Sequence, residues 1–487
     1  MLCNQCRFTN NLNKSSFCER ETIDETKSEN LASLEAEMAS VEAMMENLSW
    51  RRTHLRRKIN SLSPTALLPP EILTEIFRLA CQLEDGGPPL TPLFFGGICK
   101  EWREIAWATP LLWNTLSLHV SRKAHGSQVQ LLRDWLMRAN ASPLFIKLTS
   151  DDEHESIFCS LRAIMDVLVT RSIYWNSLDC LLPPQCHDIL KNNHFPMLTS
   201  VSVRPPKGTI STFSEPPNMF LSAPKLLDVD LSGYNFSAMM LPWEQLRRFK
   251  TQFLTVAECL KVLKRSPNLK ECHLESVYSP EIFPSPVSLD TFYSELEHLD
   301  ITLIKGAAVS LLDSITLPSL NQLRVHYTGA AGFTLSSIHS LVLRSSCNLQ
   351  RLCIEKQHLR DEDLIPCLES VPSLCYLRLI VVGESAGLSK NFVSVMHPSR
   401  DPGPPLLPKL TWFHYEGSVE CDSHSLVDML SERWRPQQAK NDNAVPIAIL
   451  NTAEIVSRAR YELPDEVECK MRSLTKAGMA LSIRSLL

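Results

Sequence analysis

No stretch of this 487-residue sequence approaches the roughly eighteen consecutive apolar residues that a membrane-spanning helix needs. The first residues, Met1–Cys6, are polar and do not resemble a signal peptide. Together these two absences predict a soluble protein of the cytoplasm or nucleus that has no membrane partner.

A disulfide framework is also missing. The 16 cysteines are scattered along the chain, which suits a reducing compartment. Cys3, Cys6 and Cys18 resemble part of a zinc site, but no fourth ligand lies nearby and a structural zinc ion needs four. We therefore expect no metal, and we expect interior cysteines to serve as small apolar core residues at Cys259, Cys272, Cys353 and Cys375.

The sequence lacks the common signatures of enzymes. It contains no phosphate-binding glycine loop followed by lysine, no His-Glu-x-x-His and no Gly-x-Ser-x-Gly. Spacing alone also selects no cysteine and histidine as a nucleophile and its base. We expect a non-catalytic chain without a cofactor.

A heptad pattern is present near the N-terminus and predicts a coiled-coil helix. Acidic residues come early in this helix and basic residues late, which would suit antiparallel pairing. Two interpretations stay open: the helix forms a homodimer, or it lies against the rest of the chain. The basic cluster lacks interleaved aromatic residues and the net charge is -5, so we expect no nucleic-acid partner. Arg52 alone interrupts the apolar positions, which are Leu31, Leu34, Met38, Val41, Met45, Leu48, Leu55, Ile59 and Leu62.

The next segment predicts a small cluster of helices. Pro69 and Pro70 suit the first turn of a helix, and an apolar stripe wider than this helix needs for its own packing continues through Ile72 and Ile76. A second apolar helical pattern ends at Thr109-Pro110. Because a cluster of this size buries little surface by itself, we expect a partner to complete its core. The alternative is an ordinary helical subdomain packed on the rest of the chain.

Three motifs in this segment occur in the order found in F-box proteins: Leu68-Pro69-Pro70-Glu71-Ile72, then Cys99-x-x-Trp102, then Pro110-Leu111-Leu112-Trp113. The stretch of about residues 67–118 resembles an F-box, and its ending resembles the expanded F-box families of mushroom-forming fungi. Two departures are a wide loop at Glu84–Pro89 and the pair Gly96-Gly97, which predicts that the second helix begins late, near Ile98.

The F-box resemblance implies a function without an active site. Such a module docks a substrate-recruiting subunit onto the Skp-type adaptor of a cullin–RING ubiquitin ligase. Trp113 is expected to anchor the module to the next domain of the chain. The positions that match those expected to contact the adaptor or support that contact are Leu68, Pro69, Glu71, Ile72, Ile76, Trp102, Ile105 and Leu111.

A repeat of the form Pro-x-Leu-x-x-Leu-x-Leu begins after about residue 190 and predicts a leucine-rich-repeat solenoid. In each copy the anchor leucine begins a short strand, and helix-like segments between the strands form the opposite side. The alternative is an ordinary α/β domain with parallel strands. The anchors are Leu198, Leu226, Leu246, Leu269, Leu296, Leu320, Leu349, Leu374 and Leu410.

Residues between the inward side chains of each strand should point outward and form a mixed polar strip. Ser202 and Cys353 belong to this strip. The alternative for any single position is a merely solvated strand surface, because such faces bind through summed contacts. The expected substrate-contact residues are Asp230, His273, Asp300, Arg324, Arg378 and His414.

The predicted fold class is α/β, with an N-terminal coiled-coil helix, a small all-helical F-box and an irregular leucine-rich-repeat α/β solenoid. The implied function is the substrate-receptor subunit of an SCF-type E3 ubiquitin ligase, which reaches the cullin through the adaptor and binds a protein substrate. The alternative is a leucine-rich scaffold that dimerises through its coiled coil and does not bind the adaptor. The expected regions are a disordered N-terminus (1–27), the coiled coil (28–63), the F-box (64–118), the solenoid (119–436, with loops at 204–217 and 383–405) and a C-terminal cap or tail (437–487).

Overall fold

A computed structural model describes residues 25–82, 90–121, 125–150, 157–183, 186–191, 193–205, 219–234, 240–279, 291–304, 311–328, 335–356, 359–381, 387–399, 405–434 and 447–486. Residues 1–24 of the predicted disordered N-terminus, the loop at 84–89, residues 206–217 of the loop at 204–217, and residues 383–386 and 400–404 of the loop at 383–405 lie outside these ranges. The described part of the predicted loop at 383–405 contains a helix, Lys390–Met396. The chain divides into two compact units, Met1–Thr109 and Pro110–Leu487. Within the described ranges, no helix combines the length and the apolar character needed to cross a bilayer.

The first unit contains one long helix, α1 (Glu25–Ser61), of 37 residues. This helix covers most of the predicted coiled-coil segment. All of its heptad apolar residues are exposed, from 51% for Leu55 to 84% for Leu62, which lies just past the helix end. Within the first unit, the described residues leave this stripe uncovered.

A cluster of short helices comes after α1 in the first unit. It comprises a 3₁₀ turn (Pro64–Leu67), α2 (Pro70–Gln82), α3 (Pro92–Ile98) and α4 (Lys100–Ala108). The core is aromatic: the Phe77 ring stacks on Phe95 with centroids 4.3 Å apart, and the Trp102 ring lies 5.0 Å from Phe77. Leu73 and Ala106 complete the buried interior.

The predicted second helix is in fact two helices. Gly96 lies inside α3, and a Cβ on it would come within 1.9 Å of a ring carbon of Trp107, so only glycine fits beneath that ring. The next helix, α4, begins at Lys100 rather than near Ile98, and the sulfur of Cys99 caps it by accepting from the Trp102 amide at 3.4 Å. The glycine is required by close packing, which the sequence pattern does not reveal.

The second unit is built on a fourteen-stranded sheet in which every pair of neighbours is parallel. Strand order matches chain order, which is the arrangement of a solenoid. A separate parallel pair consists of β8 (Phe292–Tyr293) and β10 (Ile315–Thr316). The sheet strands are β1 (Thr115–His119), β2 (Leu144–Thr149), β3 (Trp175–Leu181), β4 (Ser200–Arg204), β5 (Asp228–Asp230), β6 (Arg248–Gln252), β7 (Glu271–Val277), β9 (His298–Leu303), β11 (Gln322–Tyr327), β12 (Arg351–Lys356), β13 (Tyr376–Val381), β14 (Trp412–Gly417), β15 (Thr452–Ser457) and β16 (Ala480–Ser485).

Every anchor leucine of the repeat is fully buried, at 0% exposure. Helices lie between many of the strands in the chain. Thr255 caps the helix Val256–Arg265: its hydroxyl accepts from the Glu258 amide at 3.2 Å, and the Glu258 carboxylate accepts from the Thr255 amide at 2.9 Å. The coarse prediction of an N-terminal helix followed by a long parallel α/β sheet is confirmed. The helices of this unit are α5 (His125–Ala139), α6 (Phe158–Leu168), α7 (His187–Lys191), α8 (Val256–Arg265), α9 (Ser336–Ser345), α10 (Asp361–Glu369), α11 (Lys390–Met396), α12 (Ser423–Trp434) and α13 (Asp465–Lys476).

The boundary between the units differs from the expected residue 118. The turn Pro110–Trp113 belongs to the second unit, and β1 already begins at Thr115. Trp113 is fully buried there, with its ring 4.8 Å from Trp135, whose Nε1 donates to the Trp113 carbonyl at 2.6 Å. This packing joins the last F-box-like motif to the sheet unit.

The C-terminal segment also differs from the expected cap or tail. Its strands β15 and β16 continue the parallel sheet in register, with α13 between them. Leu450, Ala453 and Ile455 are fully buried. The small residue Ala453 occupies a position that holds leucine, valine, phenylalanine or cysteine in the other copies.

Candidate functional site

The parallel register brings one outward position of each sheet strand into a single line, called here the middle row. All the expected substrate-contact residues belong to it. Neighbouring strands lie about 4.8 Å apart, so consecutive members are within reach of each other. In order, the middle row is Ser117, Lys147, Asp179, Ser202, Asp230, Lys250, His273, Asp300, Arg324, Cys353, Arg378, His414, Glu454 and Ser482.

A groove of about 730 Å³ lies over the middle row between β4 and β13. Of the predicted contact residues, Asp230, His273, Asp300, Arg324 and Arg378 line it. The sequence prediction omitted Lys250, another lining residue, because its repeat copy lacks the proline. The register of β6 between β5 and β7 would have identified it.

Alternating charges occupy the central part of the middle row, from Asp230 to Arg324. The Lys250 ammonium lies 3.9 Å from Asp230 and 3.3 Å from Glu275. Asp300 lies between His273, whose Nδ1 is 3.4 Å away, and Arg324, at 3.5 Å. Exposed pairs of this kind contribute little stability, so their main effect is to fix the orientation of the side chains.

A second ionic line lies two residues earlier on the same strands. Arg248 bridges two carboxylates, at 2.8 Å from Asp228 and 2.6 Å from Glu271. The hydrogen bond from Arg248 lowers the pKa of the Glu271 carboxyl and raises that of the guanidinium. The Glu271 carboxylate is therefore held in the charged form beside the groove.

Farther along the sheet, on β12 to β14, the outward side chains are mainly arginines and aromatic residues. Arg351 lies over the Tyr376 ring at 5.3 Å, and that ring stacks on Trp412 with centroids 3.9 Å apart and planes 4° apart. The Nε of Arg378 is buried and donates to no acceptor among the described residues. Within those residues neither Arg351 nor Arg378 pairs with a carboxylate, so this arginine–aromatic cluster, completed by Arg324, presents positive charge.

His414 differs from the prediction that it contacts substrate. It is 6% exposed and stacked on Trp412, with ring centroids 5.7 Å apart. Its Nδ1 lies 3.0 Å from a Glu454 carboxylate oxygen, and that carboxylate also accepts from Arg484 at 2.9 Å. The ring is too enclosed to meet a partner and instead supports Trp412.

The residues matched to adaptor contact fall into three environments. Glu71, Ile72 and Ile76 are exposed on α2, the two isoleucines at 49% and 44%. Just before α2, Pro69 is exposed and Leu68 is half-buried. Trp102 and Ile105 are half-buried on α4, where the Trp102 ring packs in the core against Phe77. Leu111 is 57% exposed but lies in the second unit.

Further exposed apolar residues near α2 were not among the predicted contacts. Leu79 on α2 is 50% exposed and Phe94 on α3 is 54% exposed. The apolar run Leu93-Phe94-Phe95 was the available signal, because one short helix cannot bury three consecutive large residues on the same side.

The described residues contain no group of three or more histidine, cysteine, aspartate or glutamate side chains arranged to hold a metal ion. Cys3, Cys6 and Cys18 lie outside them. Burial raises the pKa of the Cys353 thiol against the opposing influence of Arg324. A neutral thiol in the middle row is a poor nucleophile.

Comparison with known proteins gives little. No family model and no curated protein matches the chain. A chain from the crystal structure of the Rad7 and Elc1 complex in yeast is similar at 14% identity, over 86% of this chain and 96% of that one, with a TM-score of 0.33. A likeness this low carries no argument, so the fold and the site rest on their own geometry.

Proposed function

We propose that this chain is a non-catalytic substrate receptor of an SCF-type ubiquitin ligase. In this proposal the helical cluster of the first unit binds a Skp-type adaptor, and through it the cullin, while the middle row of the sheet binds a protein substrate. Ubiquitination would then be accelerated by proximity, because the receptor holds the substrate near the recruited conjugating enzyme.

The observation that carries the proposal is that α2 buries apolar residues on one face and exposes apolar residues on another. Leu73 and Phe77 are buried at 1% and 0% exposure, whereas Ile72 and Ile76 face solvent. A contiguous exposed apolar surface on a small folded unit marks a docking site. The exposed residues are those that the F-box resemblance assigns to the adaptor, which favours the receptor over a scaffold that has buried this surface.

The sheet unit supplies the second half of the proposal. The middle row presents charges and hydrogen-bonding groups on a rigid backbone along a 730 Å³ groove. Binding would be spread over several strands, so we expect single substitutions in the row to weaken substrate binding without abolishing it.

Co-expression with the adaptor tests the proposal. The full chain should recover the adaptor stoichiometrically, and Ile72→Asp with Ile76→Asp should lose it, because two charges would replace apolar contact area. The matched control is Ile173→Asp, an isoleucine of similar exposure (47%) in the sheet unit, which should recover the adaptor fully. A folded wild-type chain that recovers no adaptor would contradict the proposal.

The scaffold alternative keeps one observation in its favour, the exposed heptad stripe of α1. Dimerisation through that stripe is compatible with both functions. Recovery of the adaptor therefore distinguishes the receptor from the scaffold, because the scaffold does not bind the adaptor.

A further inference from the structure

Helix α1 exposes its whole heptad stripe, whereas the sheet unit buries the anchor leucines of its repeat completely. Met38, Met45 and Ile59 are 60%, 66% and 67% exposed. The remaining faces of the helix carry mostly small or polar residues, such as Ala39, Ser40 and Ala43. A narrow apolar stripe on a polar helix is the seam of a coiled coil and requires a second helix.

We propose that two copies of this chain pair through α1 as an antiparallel coiled coil centred between Glu46 and Asn47. This inference does not rest on the proposed ligase function. In this register every stripe position meets a stripe position of the other copy. The layers are Leu31 with the partner's Leu62, Leu34 with the partner's Ile59, Met38 with the partner's Leu55, Val41 with the partner's Arg52, and Met45 with the partner's Leu48.

Charge complementarity selects the antiparallel direction. The positions that flank an antiparallel seam place Glu35 beside the partner's Arg56 and Glu37 beside the partner's Lys58. Two-fold symmetry repeats both pairs at the other end. The interrupting Arg52 then lies over Val41 of the partner subunit, where its aliphatic stem covers the valine.

A parallel pair would have the opposite electrostatics. Its flanking positions would place Glu37 beside the partner's Glu42 and Arg51 beside the partner's Arg56. Arg52 would also meet the partner's Arg52 within the seam. Like charges at all three places disfavour this direction.

Antiparallel registers shifted by one heptad are also poorer. A shift toward the N-terminus leaves Ile59 and Leu62 without a facing stripe residue in the other copy, and it places Glu42 beside the partner's Glu42. A shift toward the C-terminus leaves Leu31 and Leu34 without a facing stripe residue in the other copy, and it places Arg51 beside the partner's Arg51. The centred register therefore buries the longest seam and contains no like-charged flanking pair.

Sedimentation equilibrium of the full chain, without adaptor, tests the proposal through two charge-reversed variants. The first is Glu35→Lys with Glu37→Lys, and the second is Arg56→Glu with Lys58→Glu. Each alone should weaken the dimer at least about tenfold, because attractive pairs become repulsive at both ends. An equimolar mixture of the two should restore wild-type affinity, since each reversed end then meets its complement.

The matched control reverses one acidic and one basic residue away from the seam, Glu46→Lys with Arg57→Glu, and should dimerise as the wild type does. All substituted side chains are exposed, so circular dichroism should show an unchanged fold. A monomeric wild type would overturn the proposal. Charge-reversed variants that dimerise more tightly would overturn the antiparallel direction, and variants that match the wild type would show that another surface makes the dimer.

Discussion

The two units distribute their side chains in opposite ways. The first unit exposes large apolar residues, such as Leu34 on α1 and Ile72 on α2, at 63% and 49%. The sheet unit buries its repeat leucines completely and presents charges along the middle row. Apolar surfaces suit constant partners that remain bound, whereas a charged strip suits selective recognition. In the proposed function, assembly and recognition therefore belong to separate units.

Within α2, adjacent residues offer the largest contrast. Phe77→Ala should destabilise the helical cluster by about 3–5 kcal/mol, because it removes the ring on which Phe95 and Trp102 pack. Ile76→Ala, at 44% exposure, should cost less than about 1 kcal/mol. Hydrogen exchange of peptides covering α2 measures both changes. Equal losses would show that Ile76 is a core residue and would break the comparison between the units.

Among the described residues of the sheet unit, Arg433 is the largest polar side chain that is fully buried. Its guanidinium donates to the carbonyls of Met396, at 2.7 Å, Leu407, at 2.9 Å, and Leu406. Burial lowers the pKa of this arginine to about 10. Arg433→Met should lower the free energy of unfolding by about 2–4 kcal/mol, because buried carbonyls lose their donors. Urea denaturation followed by circular dichroism measures this, and a neutral result would mean that water replaces the donors.

Acid should weaken the sheet unit through His187. Burial lowers the pKa of this histidine to about 4, compared with an unfolded value near 6.5. The unfolded chain therefore takes up the proton first, so the stabilising contribution is full above pH 6.5 and is lost as pH falls through 4. Because the side chain is partly exposed, we expect a loss of about 1–2 kcal/mol.

Urea denaturation at pH 7 and pH 4 checks this expectation. His187→Gln should lose less stability than the wild type between these values, and the exposed control His194→Gln should behave as the wild type does. An unchanged pH dependence in His187→Gln would contradict the assignment.

The smallest effect should come from the charged rows of the sheet. Arg248→Gln removes the bridge between Asp228 and Glu271 and should cost about 0.5–1 kcal/mol, decreasing at high salt. The control Lys225→Gln, an exposed lysine, should change nothing measurable. A decrease of several kcal/mol in the free energy of unfolding would show that the charged rows stabilise the sheet. It would contradict the view that they serve recognition rather than stability.

Much of this architecture could be predicted from periodicity. The anchor leucines identified the inward positions, and the spacing between them placed the middle row, because parallel register carries one position to the next. The heptad pattern located α1 within a few residues. These features depend on short patterns that a single sequence displays.

Other features depended on distant packing and could not be predicted. Gly96 is required by the Trp107 ring, and Trp113 belongs to the sheet unit because it packs on Trp135. His414 alternates outward like its neighbours in the row, yet Trp412 and Glu454 enclose it. Each depends on a side chain that lies elsewhere in the sequence, and no local pattern identifies that neighbour.

The most direct test is the mass of the purified complex with a Skp-type adaptor, measured by light scattering. We expect two chains and two adaptors for the wild type, and two chains without adaptor for Ile72→Asp with Ile76→Asp. Glu35→Lys with Glu37→Lys should shift the mass toward one chain and one adaptor. A wild-type chain that is folded but carries no adaptor would contradict the central claim that the exposed face of α2 is an adaptor-binding surface.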